Sequence, residues 1–376
     1  MRGTEAPALR LNLETFENFS NIFANKNVLL NFLQRKLKNF FTKWNNYKNR
    51  EMMDDLYSVR FRYRTIRSLK MRCILQIQDE ILSAIRDFLR REGFVEILAP
   101  IIGPITDPGI RGAKQASIDY YGTQFKVMSS MILYKQMAIL SLEKVFALSP
   151  NIRLEPVEAI KTRRHLVEFR QIDVEQAYAD YQKMMVLAEK LVQYVCKRVK
   201  KKCKEPLIIL GRKLIVPRIP FKRFSYYEAI ELLKTFGFKI RLGEEIPWHL
   251  ERVLSERFRE PFFVINYPIS ARGFYYREDP EHPGILRDFD LMYPEGYGEA
   301  ISGGEREHTY KRVLKRIKEN GEKLKGYWWY LEMLKEGVPP SAGFGIGVER
   351  LTRWICGLKN IWDAVPFPKV PGVISP

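Results

Sequence analysis

The feature that most constrains the fold is a run of alternating glycines near the carboxyl end, residues 343–347 (GFGIG), followed at once by Val-Glu-Arg-Leu at residues 348–351. Glycine at every second position leaves one strand face without side chains, so the run predicts a strand that lies flush against another group. The apolar residues after Arg350 predict a helix with this arginine in its first turn. A cation is unfavourable at a helix amino terminus, so Arg350 is expected to meet an anion.

A second pattern predicts an antiparallel hairpin from residues 151–155 and 164–175. Polar and apolar residues alternate from Gln171 to Glu175, which places three polar groups on one strand face. That face presents four polar side chains to a ligand: Arg153, Glu155, Gln171 and Asp173. The connecting loop is basic and includes Arg164 and His165, which favours a phosphate partner. A polar sheet face is more often simply solvated, and this alternative stays open.

A third segment, residues 290–306, is rich in glycine and carries hard oxygen donors. Asp290 and Glu299 flank a glycine-rich turn, and the hydroxyl of Ser302 follows. Carboxylates and hydroxyls are the ligands that Mg²⁺ prefers, and Mg²⁺ on a triphosphate needs few of them from the protein. The segment therefore predicts a magnesium–nucleotide site.

The net charge of +19 favours anionic binding partners. The first 70 residues alone carry a net charge of +8, and Lys26–Arg50 contains no acidic residue. This stretch is either a helix that contacts nucleic acid or a solvated extension upstream of a start at Met53. No apolar run approaches the roughly 20 residues of a membrane span, and the amino terminus lacks a signal-peptide core, so we expect a cytoplasmic protein without membrane contact. The four scattered cysteines form no CxxC pair, which disfavours structural zinc.

These segments, in this order and spacing, resemble the class II aminoacyl-tRNA synthetases of the aspartyl/asparaginyl group over residues 70–376. Residues 93–100, 153–175 and 343–351 resemble motifs 1, 2 and 3, and residues 130–136 (SMILYKQ) are similar to the aspartate-binding segment of aspartyl enzymes. The resemblance implies an α+β fold, with an antiparallel sheet of six to seven strands flanked by helices. It implies a catalytic domain at 69–376 with an insertion at about 205–260, a basic extension at 1–68, and a homodimer formed through motif 1.

The resemblance also implies residue roles. Arg153 and Arg350 are the implied catalytic residues, since Arg153 holds the α-phosphate with the reacting carboxylate and Arg350 clamps the γ-phosphate. ATP, as substrate, is implied to contact Arg153, Glu155, Arg164, His165, Phe169, Glu299 and Arg350. Aspartate is implied to contact Ser130, Lys135, Gln171, Asp173 and Arg306, and Mg²⁺ is implied to contact Asp290, Glu299 and Ser302.

Three departures refine the expected function. The residues before the core lack the short strands and glycine turns of the anticodon-reading OB-fold. Ile132 replaces the glutamine expected in the aspartate segment, and residues 294–299 are closer to the asparaginyl pattern, whereas Lys135 is aspartyl-like. This combination resembles the archaeal asparagine synthetase related to asparaginyl-tRNA synthetase.

The expected activity is then ATP-dependent activation of aspartate to an adenylate. Ammonia attacks the adenylate and gives asparagine, AMP and pyrophosphate. Two alternatives stay open. One is an aspartyl- or asparaginyl-type tRNA ligase without a standard anticodon domain. The other is a non-catalytic paralogue that binds RNA or regulates an enzyme.

Overall fold

The computed structural model describes residues 55–107 and 112–376. The chain divides into two units, residues 1–58 and 59–376. The predictions for the basic stretch at Lys26–Arg50, and for the start at Met53, lie outside the described residues. The second unit begins before residue 69, since residues of the predicted extension belong to it: the Arg62 Nη2 atom donates a hydrogen bond to the Trp362 carbonyl at 2.7 Å.

The second unit is built on one large sheet. Its strands are β1 (Val95–Glu96), β5 (Lys144–Ile152), β6 (Glu168–Ala177), β7 (Lys222–Ser225), β8 (Phe262–Ile265), β9 (Asp288–Tyr293), β10 (Gly298–Glu305) and β11 (Ser341–Gly347), in the spatial order β1-β5-β6-β11-β10-β9-β8-β7. A small second sheet contains β2 (Ile102–Gly103), β3 (Ser117–Tyr120) and β4 (Thr123–Val127).

The α+β class is confirmed, and the sheet differs from the expected one in two respects. It has eight strands, and its edge strands pair in parallel, β1 with β5 and β7 with β8, whereas the pairs between them are antiparallel. Both edge strands are short, and a parallel pair needs a long crossover connection, which a hairpin pattern along the sequence does not indicate.

The helices are α1 (Arg62–Thr65), α2 (Leu69–Arg91), α3 (Ile132–Ala138), α4 (Tyr181–Lys202), α5 (Lys204–Ile209), α6 (Tyr226–Thr235), α7 (Trp248–Glu256), α8 (Tyr310–Glu319), α9 (Trp328–Glu336) and α10 (Val348–Cys356). Short 3₁₀ turns occupy Val157–Thr162, Ile269–Ala271, Leu324–Tyr327 and Ile361–Ala364. No helix in the described residues combines the length and apolar character needed to cross a bilayer.

The two long helices follow the sequence signals closely. The Ser68 side chain caps α2 by accepting a hydrogen bond from the Met71 amide, and the chain leaves the helix through Gly93 at φ +83°. Asp180 caps α4 in the same way. Together with α10, these helices bury their apolar faces against one side of the sheet. The other side of the sheet carries polar residues of β6, such as Asp173 and Glu175, beside apolar residues of two further core clusters, such as Val145 and Met292.

The alternating glycines form β11, which lies between β6 and β10 in the centre of the sheet. The predicted flush contact is confirmed: a Cβ atom at Gly343 would lie 2.1 Å from both the Val174 carbonyl oxygen and the Glu175 Oε2 atom. A side chain at this position would collide with the neighbouring strand. Glycine at position 343 thus permits the close contact between β11 and β6.

A β-bulge interrupts β10 between Glu299 and Ile301. A spacing of three residues normally places two strand side chains on opposite faces. The extra residue at the bulge puts Glu299 and Ser302 on the same face, since Glu299 pairs with Met292 and Ser302 with Asp290.

The predicted insertion forms a small packed unit at the far edge of the sheet. Its helices α6 and α7 share an apolar core with β8, formed by buried residues such as Tyr226, Ile230, Leu250 and Leu254. The same segment also contributes residues, such as Glu245 and Glu251, to the wall of the central cavity.

Candidate active site

A cavity of about 840 Å³ lies on the polar face of the sheet. The sequence-predicted site residues that line it are Ser130, Lys135, Arg153, Glu155, Arg164, His165, Phe169, Gln171, Asp173, Glu299, Ser302, Arg306 and Arg350. The polar face of β6 is therefore a buried cavity wall and not a solvated surface, since Asp173 is 3% exposed and Glu175 is fully buried. The cavity volume suits a nucleotide together with a small second substrate.

One end of the cavity concentrates arginines around a single carboxylate. The Glu299 Oε2 atom lies 3.2 Å from Arg164 Nη2 and 3.1 Å from Arg350 Nη1. The carboxylate of Glu251 pairs with Arg164 from the other side. An anionic partner of Arg350 is thus found within the protein, since Glu251 and Glu299 balance the charges of Arg164 and Arg350, and Arg153 adds a further cation to the cavity wall.

The loop of motif 2 shapes the wall beside these arginines. The Arg153 guanidinium lies over the Phe169 ring at 5.1 Å and donates to the Ser129 carbonyl at 3.2 Å. Burial raises the pKa of the half-buried Glu155 above its usual value. Burial, reinforced by the neighbouring Arg164, lowers the pKa of His165 to about 2, so its imidazole is neutral at physiological pH. Its Nδ1 atom lies 2.7 Å from the Thr162 hydroxyl.

The other end of the cavity is closed by Lys135 of α3. Its ammonium donates to Asp173 Oδ1 at 3.1 Å, to the Val174 carbonyl at 3.3 Å and to the Phe344 carbonyl at 3.1 Å. An ammonium has three hydrogens, so the protein uses its full donor capacity. The resemblance implies that Lys135 grips a substrate carboxylate, but in the structure its charge is already compensated.

Arg306 lies next to this lysine and is also paired. Its Nε and Nη2 atoms donate to the carboxylate of Glu175 at 3.0 and 3.1 Å, and the Ser341 hydroxyl donates to the same carboxylate at 2.9 Å. The buried Nη1 atom has no hydrogen-bond acceptor among the described residues. Because Arg306 lines the cavity, this Nη1 donor is available for a substrate oxygen.

The remaining predicted substrate residues are held at defined positions. Gln171 accepts a hydrogen bond from Asn151 Nδ2 at 3.0 Å. Its own amide nitrogen lies beside Gly345, 3.3 Å from the position that a Cβ atom would take there. Ser130, 9% exposed, accepts from the Ile132 amide at 3.3 Å and so fixes the start of α3.

Asp290 is the predicted site residue that the structure places elsewhere. It does not line the cavity, and its carboxylate pairs with Arg272 at 2.5 Å. Arg272 also pairs with Asp288 at 3.0 Å and Glu245 at 2.9 Å. In the structure Asp290 thus stabilises a buried guanidinium, and its role as a metal ligand stays a prediction, since Glu299 is paired with arginines in the same way.

No group of three or more His, Cys, Asp or Glu side chains is arranged to hold a metal ion in the part of the chain that the structure describes. Mg²⁺ bound to a nucleotide takes only one or two protein carboxylates, because phosphates and waters supply the rest. Glu299 and Ser302, which the bulge turns toward the cavity, meet that requirement.

Sequence reasoning missed several charged residues of the site, including Glu245, Glu251, Arg272 and Glu349. Glu245 and Glu251 come from the insertion, and Arg272 follows it. Glu349 accepts hydrogen bonds from the Arg170 amide at 2.9 and 3.1 Å, and burial raises its pKa to about 7. For Glu251 the signal was a charged residue inside an apolar helical pattern, between Leu250 and Leu254.

Comparisons with known proteins agree with this geometry. The family model described as class II tRNA synthetases (D, K and N) matches residues 54–371. The asparagine–tRNA ligase of Pyrococcus abyssi is 39% identical and that of Thermococcus kodakarensis 37%, with 84% and 86% of this chain and 72% and 74% of those proteins covered.

Two solved structures of similar fold extend the comparison. Asparaginyl-tRNA synthetase from Pyrococcus horikoshii, complexed with asparaginyl-adenylate, is 35% identical with a TM-score of 0.79 and is covered to 73%, with 85% of this chain. A putative aspartyl-tRNA synthetase from Leishmania major is 26% identical with a TM-score of 0.74 and is covered to 69%, also with 85% of this chain. The chain belongs to the class II tRNA synthetases of the D, K and N group.

Proposed function

We propose that the protein activates asparagine with ATP to asparaginyl-adenylate and transfers the asparaginyl group to tRNA. The observation that carries this proposal is the charge balance at the closed end of the cavity. Two cations there, Lys135 and Arg306, contact two internal carboxylates, Asp173 and Glu175. This balance suits the uncharged amide of asparagine, because a second substrate carboxylate would have to displace an internal one.

The amide has a fitting donor at this end. Its carbonyl oxygen can accept from Arg306 Nη1, the donor that the protein leaves unused in the described residues. A site that leaves a buried donor for one substrate oxygen discriminates against substrates without that oxygen. Gln171 and Asp173 lie beside it and are proposed to face the α-ammonium group.

The opposite end supports ATP. We propose that the adenine ring lies between Phe169 and Arg350, with Glu155 at its edge. Arg153 would hold the α-phosphate, whereas Arg164 and His165 would face the outer phosphates. Mg²⁺, held by Glu299 and Ser302, would neutralise phosphate charge.

The chemistry then depends on alignment and charge. A carboxylate oxygen of asparagine attacks the α-phosphorus, the bond to the β-phosphate oxygen breaks, and pyrophosphate leaves. In the second step a ribose hydroxyl at the end of tRNA attacks the acyl carbon and AMP leaves. The arginines that line the cavity supply positioning and charge stabilisation in the first step, for which no general acid or base is required.

The choice of tRNA as acceptor rests on the relatives. The two relatives of 39% and 37% identity named above are asparagine–tRNA ligases, which favours tRNA over ammonia. The homodimer remains a proposal, supported by two exposed apolar side chains, Leu98 in motif 1 at 99% and Ile101 directly after it at 63%.

One observation favours a second candidate, the synthesis of asparagine from aspartate and ammonia. Lys135 lies in a segment similar to the aspartate-binding one, although an amide substrate does not require that cation. If an incoming β-carboxylate replaced Asp173 as its partner, the site would accept aspartate.

One set of assays separates the two functions. The full chain is incubated with ATP, Mg²⁺ and either asparagine or aspartate, with and without ammonium and with and without total tRNA from a matching source. We expect asparagine-dependent exchange of pyrophosphate into ATP and formation of asparaginyl-tRNA. Free asparagine formed from aspartate only when ammonium is present, without tRNA charging, would establish the second candidate instead. An Arg350→Ala variant is the control and should lose exchange.

A further inference from the structure

We propose that Glu251, in the segment inserted between motifs 2 and 3, is a positioning residue for ATP: it holds Arg164 in place before the outer phosphates bind. This inference rests on the proposed function. It assigns to the insertion a part in nucleotide binding, although Glu251 lies 87 residues from Arg164 in the sequence.

Glu251 belongs to the face of α7 that packs against the body of the protein. Leu254 is fully buried and Glu251 is 3% exposed, as helical neighbours three residues apart. A carboxylate is rarely buried so completely unless it has charged or hydrogen-bonded partners. Its burial among apolar neighbours therefore indicates a specific contact.

A single oxygen of this carboxylate makes two contacts. Glu251 Oε2 accepts from Arg164 Nη1 at 2.5 Å and from the Glu299 amide at 3.3 Å. One turn further along α7, the Ser255 hydroxyl accepts from the Gly298 amide at 3.2 Å. The helix thus binds two successive amides at the start of β10.

These contacts connect two segments that line the end of the cavity where we propose that the phosphates bind. Arg164 comes from the loop after the 3₁₀ turn of motif 2, and Glu299 comes from β10; their side chains lie 3.2 Å apart. Gly298 allows the close approach, since a Cβ atom there would lie 3.3 Å from Glu251 Oε2 and 3.4 Å from Arg164 Nη1.

The consequence is a preorganised guanidinium. A long side chain on a loop loses rotamer freedom when it binds a phosphate, and that loss weakens binding. Because Arg164 is anchored between two carboxylates, much of this freedom is already lost in the free enzyme. The effect is confined to ATP, since the amino-acid end uses Lys135 and Arg306.

The test uses pyrophosphate exchange with Glu251→Ala, Glu251→Gln and a matched control, Glu256→Ala. Glu256 lies on the same helix, is about half exposed and pairs only with Arg252 in the contacts described. Glu251→Ala should raise the KM for ATP about tenfold or more, the size expected for one charge-assisted hydrogen bond. It should leave the KM for asparagine within about twofold.

The glutamine variant separates positioning from general stability. A glutamine oxygen can accept from both donors, so Glu251→Gln should restore the KM for ATP to within about threefold of the wild type. Equal increases in both KM values, or an unchanged KM for ATP in Glu251→Ala, would overturn the inference. If the wild type shows no exchange with any amino acid, the proposed function itself fails, which is a different result.

Discussion

Replacing Lys135 by methionine tests whether this cation serves the fold or the substrate. Lys135, Asp173 and Glu175 are 2%, 3% and 0% exposed, so solvent does not screen their interaction. Methionine has a similar length without the charge, and it leaves two carboxylates with Arg306 as the remaining nearby cation. Breaking a buried ion pair on one side typically costs about 3–5 kcal/mol. For a unit of this size the Tm should fall by roughly 5–15 °C.

The matched control removes the negative charge of the ion pair. Asp173→Asn and the double variant Lys135→Met/Asp173→Asn complete a cycle in which the double variant should regain at least about 1 kcal/mol over the sum of the single losses. Unfolding is followed by circular dichroism in urea, with asparagine- and aspartate-dependent pyrophosphate exchange measured on the same samples. A Lys135→Met protein with unchanged stability that loses only its use of aspartate would refute the charge-balance argument and assign Lys135 to the substrate.

Four further predictions follow from single contacts. Phe169→Ala should raise the KM for ATP in pyrophosphate exchange by about 5- to 100-fold, because stacking of a base on an aromatic ring contributes about 1–3 kcal/mol; an unchanged KM would contradict the adenine site. Leu98→Asp should convert a dimer to a monomer in light scattering, and a monomeric wild type would contradict the proposed interface. Gly343→Ala should lose at least about 3 kcal/mol in urea unfolding, because the new methyl group meets the Val174 carbonyl; wild-type stability would show that the strands can separate. Burial raises the pKa of Glu349 to about 7, so the folded state binds the extra proton and loses stability as the pH rises from about 4.5 to 7; Glu349→Gln should flatten this dependence, and equal slopes would exclude Glu349 as its source.

The sequence was most informative where a pattern is local. The alternating glycines, the first helical turn at Arg350 and the polar face of β6 are short-range signals, and the structure places all three in the cavity. The helices α2 and α4 have equally local determinants, since their caps and apolar stripes lie within a few residues of each other.

What could not be predicted depends on packing between distant segments. Asp290 alternates correctly along its strand, but only the fold shows that Arg272 occupies the space next to it. The compensation of Lys135 by Asp173 likewise joins residues 38 positions apart. Glu251 belongs to no motif, and its contacts with Arg164 and the Glu299 amide are found only in the folded structure.

The position of β11 in the sheet has a consequence for how the protein is made. This strand is the last of the eight to be synthesised, yet it lies in the middle, between β6 and β10. Arg153 and Phe169 stand on one side of it, and Glu299 and Ser302 stand on the other. A ribosome-bound chain that ends before residue 341 can therefore form the β5–β6 hairpin and the β7–β10 part of the sheet, but not the cavity. The cavity is thus complete only once β11 and Arg350 have been synthesised, so fragments that end before residue 341 lack it.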